Sequence, residues 1–192
     1  MELILASGSP RRRELLRQIG LTNFTVLPAD VDETIAPGTP PDQAVLELSR
    51  RKAAAVAAAH PDALILAADT VVALGDSILG KPHSQAEAQG MLRALSGKVH
   101  RVYTGFTLRA PGHAESGVEE TEVAFRELTA GEIDAYIATG EPMDKAGAYG
   151  IQGKGALLVQ GIRGDYFNVM GLPLCRLGIA LKNFGLEPLG GD

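Results

Sequence analysis

At 192 residues, with 45% hydrophobic and 21% charged side chains, the chain can bury a sizeable core and is not disordered. A net charge of −5 and an aromatic content of 5% exclude a broad nucleic-acid or acidic-membrane surface, so any basic site must be local. The single Cys175 lies in an apolar helical stretch, where core packing in a reducing compartment is expected; with no signal-like segment and no apolar run of membrane length, the expectation is a cytoplasmic protein.

In chain order, Leu3 to Leu5 reads as a short buried strand, followed by a small polar turn, Ala6-Ser7-Gly8-Ser9. A helix then opens at Pro10, with Ser9 as N-cap and Pro10 in the first helical position, where its missing N–H costs nothing. Leu15, Leu16 and Ile19 form its apolar face, but Arg11, Arg12 and Arg13 crowd a first turn that the macrodipole already makes positive. Unpaired backbone N–H groups joined by guanidinium forks suit a phosphate-bearing anion; the plainer reading is three solvated arginines, one answering Glu14.

Residues 24–27 look like a second strand, and a long loop from Pro28 to Pro41 carries Asp30, Asp32 and Glu33. An alanine-rich helix from Pro41 to about His60 holds the basic run Arg50-Arg51-Lys52. The unbroken apolar run Ala63 to Ala68 predicts a strand buried on both faces, ending abruptly at Asp69-Thr70. Ser84 with Glu87, and Thr129 with Glu132, are capping boxes opening helices to about Leu95 and Thr139. Between them, Val99–Arg109 and Val118–Leu128 are spaced as an antiparallel pair around a Pro-Gly loop. Gly140 to Gly155 is glycine-rich, Ala156 to Ile162 reads as a strand, and Pro173 to Phe184 as a closing helix. The pattern is that of an α/β fold with a mixed sheet, either one domain or two lobes sharing that sheet.

Ligands of open α/β sheets gather beyond the carboxyl ends of strands. If the first and third predicted strands run parallel, Ser7 to Arg13 and Asp69-Thr70 open on one edge, joined by Asp32 and Glu33. Cations there would bind phosphate oxygens, while carboxylates hold a divalent ion or take a proton from water. Lys81, between Gly80 and Pro82, and Lys52 are further phosphate-binding candidates; each has the alternative of a solvated charge. Gln152 offers an amide donor and acceptor, as the edge of a pyrimidine ring requires. The stretch Ala148 to Gly155 nearly spells a P-loop, but Ala148 replaces its first glycine and Gly155 its Ser or Thr. His60, His83, His100 and His113 show no zinc-ligand spacing.

The segments LILASGSPRRRELL, AADTVV, LGKP, MLRALSGKVHRVYTG, PMDKAGAYGIQGKGALLV and GDYFNVMGLP occur in the order found in the Maf family of nucleotide pyrophosphatases, which the chain resembles from end to end. DKAGAYGIQG is similar to the branch acting on dTTP and UTP. The resemblance implies a single Maf-like domain over residues 1–192, with a mixed twisted sheet flanked by helices and a cleft between two lobes, as in inosine triphosphate pyrophosphatases. It also implies metal-dependent hydrolysis between the α- and β-phosphates, with Mg2+ or Mn2+. Asp69 falls at the family's proton acceptor. Arg11, Thr70 and Gln152 fall at its specificity positions, and Ser7, Arg12, Lys52 and Lys81 near the phosphates. Glu33, with Asp69, matches an acidic metal position, while Arg13 extends the usual arginine pair. The partner implied is a pyrimidine nucleoside triphosphate, with a homodimer left open and neither nucleic acid nor membrane expected. A nucleotide-binding regulator of cell division that does not hydrolyse would share the anion site, but would have no use for Asp69 and Glu33.

Overall fold

A computed structural model describes residues 1–190. The chain order is β1 (Leu3–Leu5), α1 (Pro10–Gln18), β2 (Thr25–Val26), α2 (Pro41–Ala59), β3 (Leu64–Leu74), β4 (Ser77–Leu79), α3 (Gln85–Leu95), β5 (Val99–Ala110), β6 (His113–Phe125), α4 (Ala130–Ile137), β7 (Val159–Arg163), α5 (Tyr166–Met170) and α6 (Leu174–Lys182), with three 3-10 turns between α4 and β7. The strands form one mixed sheet in the order β2-β1-β3-β5-β6-β7, with β4 paired to β3. β1 runs parallel to β2 and β3, whereas β3–β4 and β6–β7 are antiparallel. Among the described residues, no helix is long and apolar enough to cross a membrane.

The chain divides into two compact units, the first comprising Met1–Asp69, Thr104–Glu119 and the residues from Gly171 on, the second Thr70–Tyr103 and Glu120–Met170. In the first, Leu3 to Leu5 pair in register with Leu64 to Leu66. Ile4, Ala6, Ile65 and Ala67 pack on Ala53 and Val56 of α2. Leu5 and Leu66, which point to the opposite face, are also fully buried, as the unbroken apolar run demands. Gly105 of β5 sets how closely α2 lies: a Cβ there would stand 2.6 Å from the Val45 carbonyl. In the second unit, α3 and α4 bury Ala88, Leu92, Leu95, Ile133 and Ile137 against Val102, Val123 and Phe125 of the sheet.

Several boundaries differ from the sequence pattern for physical reasons. β3 does not stop at Asp69 but continues to Leu74, because β-branched Thr70, Val71 and Val72 suit a strand and the Asp69 charge has a partner in Lys52. β6 starts at His113, since Pro111-Gly112 is a two-residue turn, with Gly112 at φ 72°, and so short a turn joins antiparallel strands only. Residues 153–157 form a 3-10 turn, so the last strand begins at Val159. Ser9 occupies the N-cap of α1 but makes no side-chain cap bond. At α3 only half the capping box forms: Ser84 Oγ accepts the Glu87 N–H at 3.1 Å, but the Glu87 carboxylate takes the His83 N–H at 2.6 Å. The box at Thr129 and Glu132 is complete. Cys175 is exposed rather than packed, because the buried face of α6 is formed by Leu174, Leu177, Ala180 and Leu181.

His100 lies in the second core at 2% exposure. Its Nε2 is 2.7 Å from the Tyr149 hydroxyl, its ring meets Phe125 edge-on, and its Nδ1 has no hydrogen-bond partner among the described residues. Burial lowers its pKa to about 4, so the folded state holds the ring neutral while the unfolded chain takes up a proton below its ordinary value of 6.5. Stability is therefore expected to fall by roughly 3 kcal/mol as pH drops from about 6.5 to about 4, and to level off below. Urea unfolding at pH 7, 5 and 4 checks this, and His100→Gln should flatten the slope.

Candidate active site

The arginine turn begins where β1 ends, with the Ala6 N–H donating to the Leu66 carbonyl at 2.8 Å. Ser7, 7% exposed, closes the turn before the helix: its hydroxyl accepts the Ser9 N–H at 3.3 Å and Arg12 Nη1 at 3.0 Å. Arg12 Nε donates to the Gly171 carbonyl at 2.8 Å, so the guanidinium is fixed from two sides. Burial lowers the Arg12 pKa, Asp69 and Glu33 raise it, and Arg11 lowers it. Arg12 is not a solvated charge, since its guanidinium is held by Ser7 and Gly171, while Arg11 and Arg13 are half-buried.

The basic run of α2 is divided by the helical rotation of about 100° per residue. Arg50 Nε donates to Ser116 Oγ at 3.2 Å, leading into the buried Thr107–Ser49 hydroxyl pair. Arg51 Nη1 donates to the carbonyls of Asp32 and Thr34 at 3.1 and 2.7 Å, gripping the backbone on either side of Glu33, and Nη2 pairs with Glu47. Lys52 is buried, not a solvated charge, and its Nζ lies 2.6 Å from both Glu33 Oε1 and Asp69 Oδ1. Asp32 serves the loop instead: its carboxylate accepts the Thr34 N–H at 2.8 Å, and that hydrogen bonding holds its pKa below the usual range.

The first unit thus brings together Ser7 and Arg12 by hydrogen bond, Arg12 with Arg11, Glu33 and Asp69 by charge, and Lys52 with both carboxylates. Thr70 follows Asp69 on β3; Thr70, Lys81 and Gln152 belong to the second unit, where Lys81 and Gln152 are exposed. Arg51 was not foreseen as part of the site; its only sequence signal is its place beside Lys52 in the basic run.

Two carboxylates already converge on one cation, the Lys52 ammonium, and both offer hard oxygen donors. That donor set fits Mg2+ or Mn2+, which bind through one or two carboxylates and complete their shell with water and phosphate oxygens. Among the described residues, no group of three or more His, Cys, Asp or Glu side chains forms a metal cage.

Among solved structures, the chain is similar to the Ham1 protein of Staphylococcus aureus, at 16% identity over 65% of this chain and 72% of that one, with a TM-score of 0.48. A dITP/XTP pyrophosphatase from Mycobacterium abscessus aligns over 96% and 98% of the two chains at 12% identity, also with a TM-score of 0.48. Sequence relatives are far nearer. A dTTP/UTP pyrophosphatase of Bacillus cereus is 51% identical over 186 residues, 97% of each chain, and one of Bacillus anthracis is 50% identical over the same shares. The model of Maf-like proteins matches residues 2–184. With that match over nearly its whole length, the chain belongs to the Maf family.

Proposed function

We propose that the protein, working as one Maf-like domain over residues 1–192, hydrolyses dTTP and UTP to the nucleoside monophosphate and pyrophosphate. The observation that carries this reading is the grouping of Arg12, Lys52, Glu33 and Asp69 in the first unit. The near-identical length and 51% identity of a relative named for that activity support it.

A triphosphate concentrates negative charge, and Arg12, fixed by Ser7 and Gly171, presents a preorganised fork to it without reorganising at the moment of reaction. Arg11 and Lys81 add charge for the phosphates and the leaving pyrophosphate, with Arg11 also at a specificity position. Lys52 grips Asp69 through Oδ1, which orients the carboxylate and leaves its second oxygen to accept a proton from water or to serve as a ligand. Glu33 and Asp69 would hold the divalent ion, which when bound supplies charge neutralisation and polarises the phosphoryl group. Thr70 and Gln152 join Arg11 at the specificity positions, Gln152 facing the base.

Purified protein incubated with the common ribo- and deoxyribonucleoside triphosphates, with Mg2+, Mn2+ or a chelator, tests the reading. Pyrophosphate release from dTTP and UTP that stops on chelation is expected. Tight nucleotide binding without turnover would overturn it in favour of a regulator.

A further inference from the structure

The loop from Gly150 to Gly155, which carries Gln152 at an exposed position, is tied down on both flanks to one short segment of the second unit. On the far side, the Glu141 carboxylate accepts two consecutive backbone N–H groups: Oε1 takes that of Lys154 at 3.1 Å and Oε2 that of Gly155 at 3.3 Å. On the near side, the Gly150 N–H donates to the Tyr136 hydroxyl at 3.2 Å. The loop's glycines are shaped to this grip. Gly153 has φ 62° and sits so close that a Cβ would lie 2.9 Å from Glu141 Oε1, and a Cβ on Gly155 would collide with the Gly150 carbonyl. Glu141 itself is held: its N–H donates to Thr139 Oγ1 at 3.1 Å and its carbonyl accepts Lys145 Nζ at 2.7 Å.

A carboxylate held against two consecutive loop N–H groups, yet outside the cluster of Arg12, Lys52 and Asp69, needs a reason. What the crossing carries at its exposed position is Gln152. A glutamine amide reads a uracil or thymine edge by accepting from the ring N3–H while donating to a ring carbonyl. Such a two-point contact works only when the anchor of the side chain stays within about 0.5 Å of its place.

We propose that Glu141 is a positioning residue for substrate selectivity: its carboxylate, through Lys154 and Gly155, and with Tyr136 holding Gly150, fixes the loop that presents Gln152 to the pyrimidine base. This rests on the reading of Gln152 as the base-reading residue, and the test separates the two. Steady-state pyrophosphate release from UTP and CTP is measured for Gln152→Ala, Glu141→Ala, Glu141→Gln, Tyr136→Phe and the Glu141→Ala/Gln152→Ala pair, each first checked for a cooperative melt.

Gln152→Ala should raise KM for UTP about tenfold and bring the UTP-to-CTP ratio of kcat/KM towards one. Glu141→Ala should do the same with kcat changed less than about twofold, and adding it to Gln152→Ala should cost nothing more, since both remove one contact. Glu141→Gln keeps one acceptor and should recover part of the ratio; Tyr136→Phe should lose part of it. If Glu141→Ala does not fold, Glu141→Gln and Tyr136→Phe decide by the same ratio. Selectivity and KM unmoved in the folded Glu141 and Tyr136 variants, or additive effects in the pair, would overturn the positioning role while leaving Gln152 in place. Unmoved selectivity in Gln152→Ala would instead remove the reading of Gln152, and the inference with it.

Discussion

An Asp69→Asn enzyme is expected to release pyrophosphate about 10²–10⁴-fold more slowly than the parent, the range that loss of a positioned acid–base group produces. The amide keeps the shape of the side chain and one oxygen for Lys52, but can neither take a proton from water nor hold a cation as a charged ligand. Lys52 keeps Glu33 as a charged partner at 2.6 Å, so the variant should melt cooperatively. Pyrophosphate release together with a thermal melt separates the chemical from the structural effect. Full turnover would remove Asp69 from the mechanism.

Lys52→Met should act on both quantities. The methionine fills the space of the lysine stem but leaves Asp69, 14% exposed at its side chain, without the ammonium of a lysine whose side chain is only 11% exposed. Removing one partner of a buried ion pair costs roughly 3–5 kcal/mol. Most of that falls on the Asp69 side, because Glu33 is 61% exposed and water screens its pair with Lys52. Turnover should fall by on the order of 10²-fold as the carboxylate loses its orientation. Urea unfolding and pyrophosphate release measure the two effects, and an undiminished midpoint would mean that the pair contributes nothing to the fold.

Much of this site was legible because charge stood where helix physics disfavours it. Arginines in the first turn of α1, directly after a strand and a small polar turn, point to an anion, and the structure places Arg12 as a fixed fork beside Ser7. Asp69 stood out because it interrupts a run of apolar residues on a strand buried on both faces. The partner that lets it sit there did not stand out. Lys52 looks like one of three ordinary cations in mid-helix, and only the tertiary placement of α2 against β3 turns it inward while Arg50 and Arg51 serve a hydroxyl network and a loop backbone.

The same limit explains the misjudged elements. β3 passes through Asp69 because a charge paired across the fold no longer ends a strand, and no local pattern records that pairing. The polar stretch from His113 to Glu119 looks like loop by composition but pairs as strand because a Pro-Gly turn brings it back at once. Cys175 has an apolar neighbourhood in sequence but lies on the outer side of α6, since Leu174, Leu177 and Leu181 already fill the inner face. The family motifs reached further than periodicity did: they marked Gln152, while the ties of Glu141 to Lys154 and Gly155 that hold its loop appear only in three dimensions.

Phosphorus NMR of UTP mixed with enzyme and Mg2+ looks at the reacting bond itself. Resonances of UMP and pyrophosphate rising in equal amounts, with the Asp69→Asn protein leaving UTP intact over the same period, are the predicted result. UDP and orthophosphate in their place, or a bound but unchanged UTP, would contradict the account.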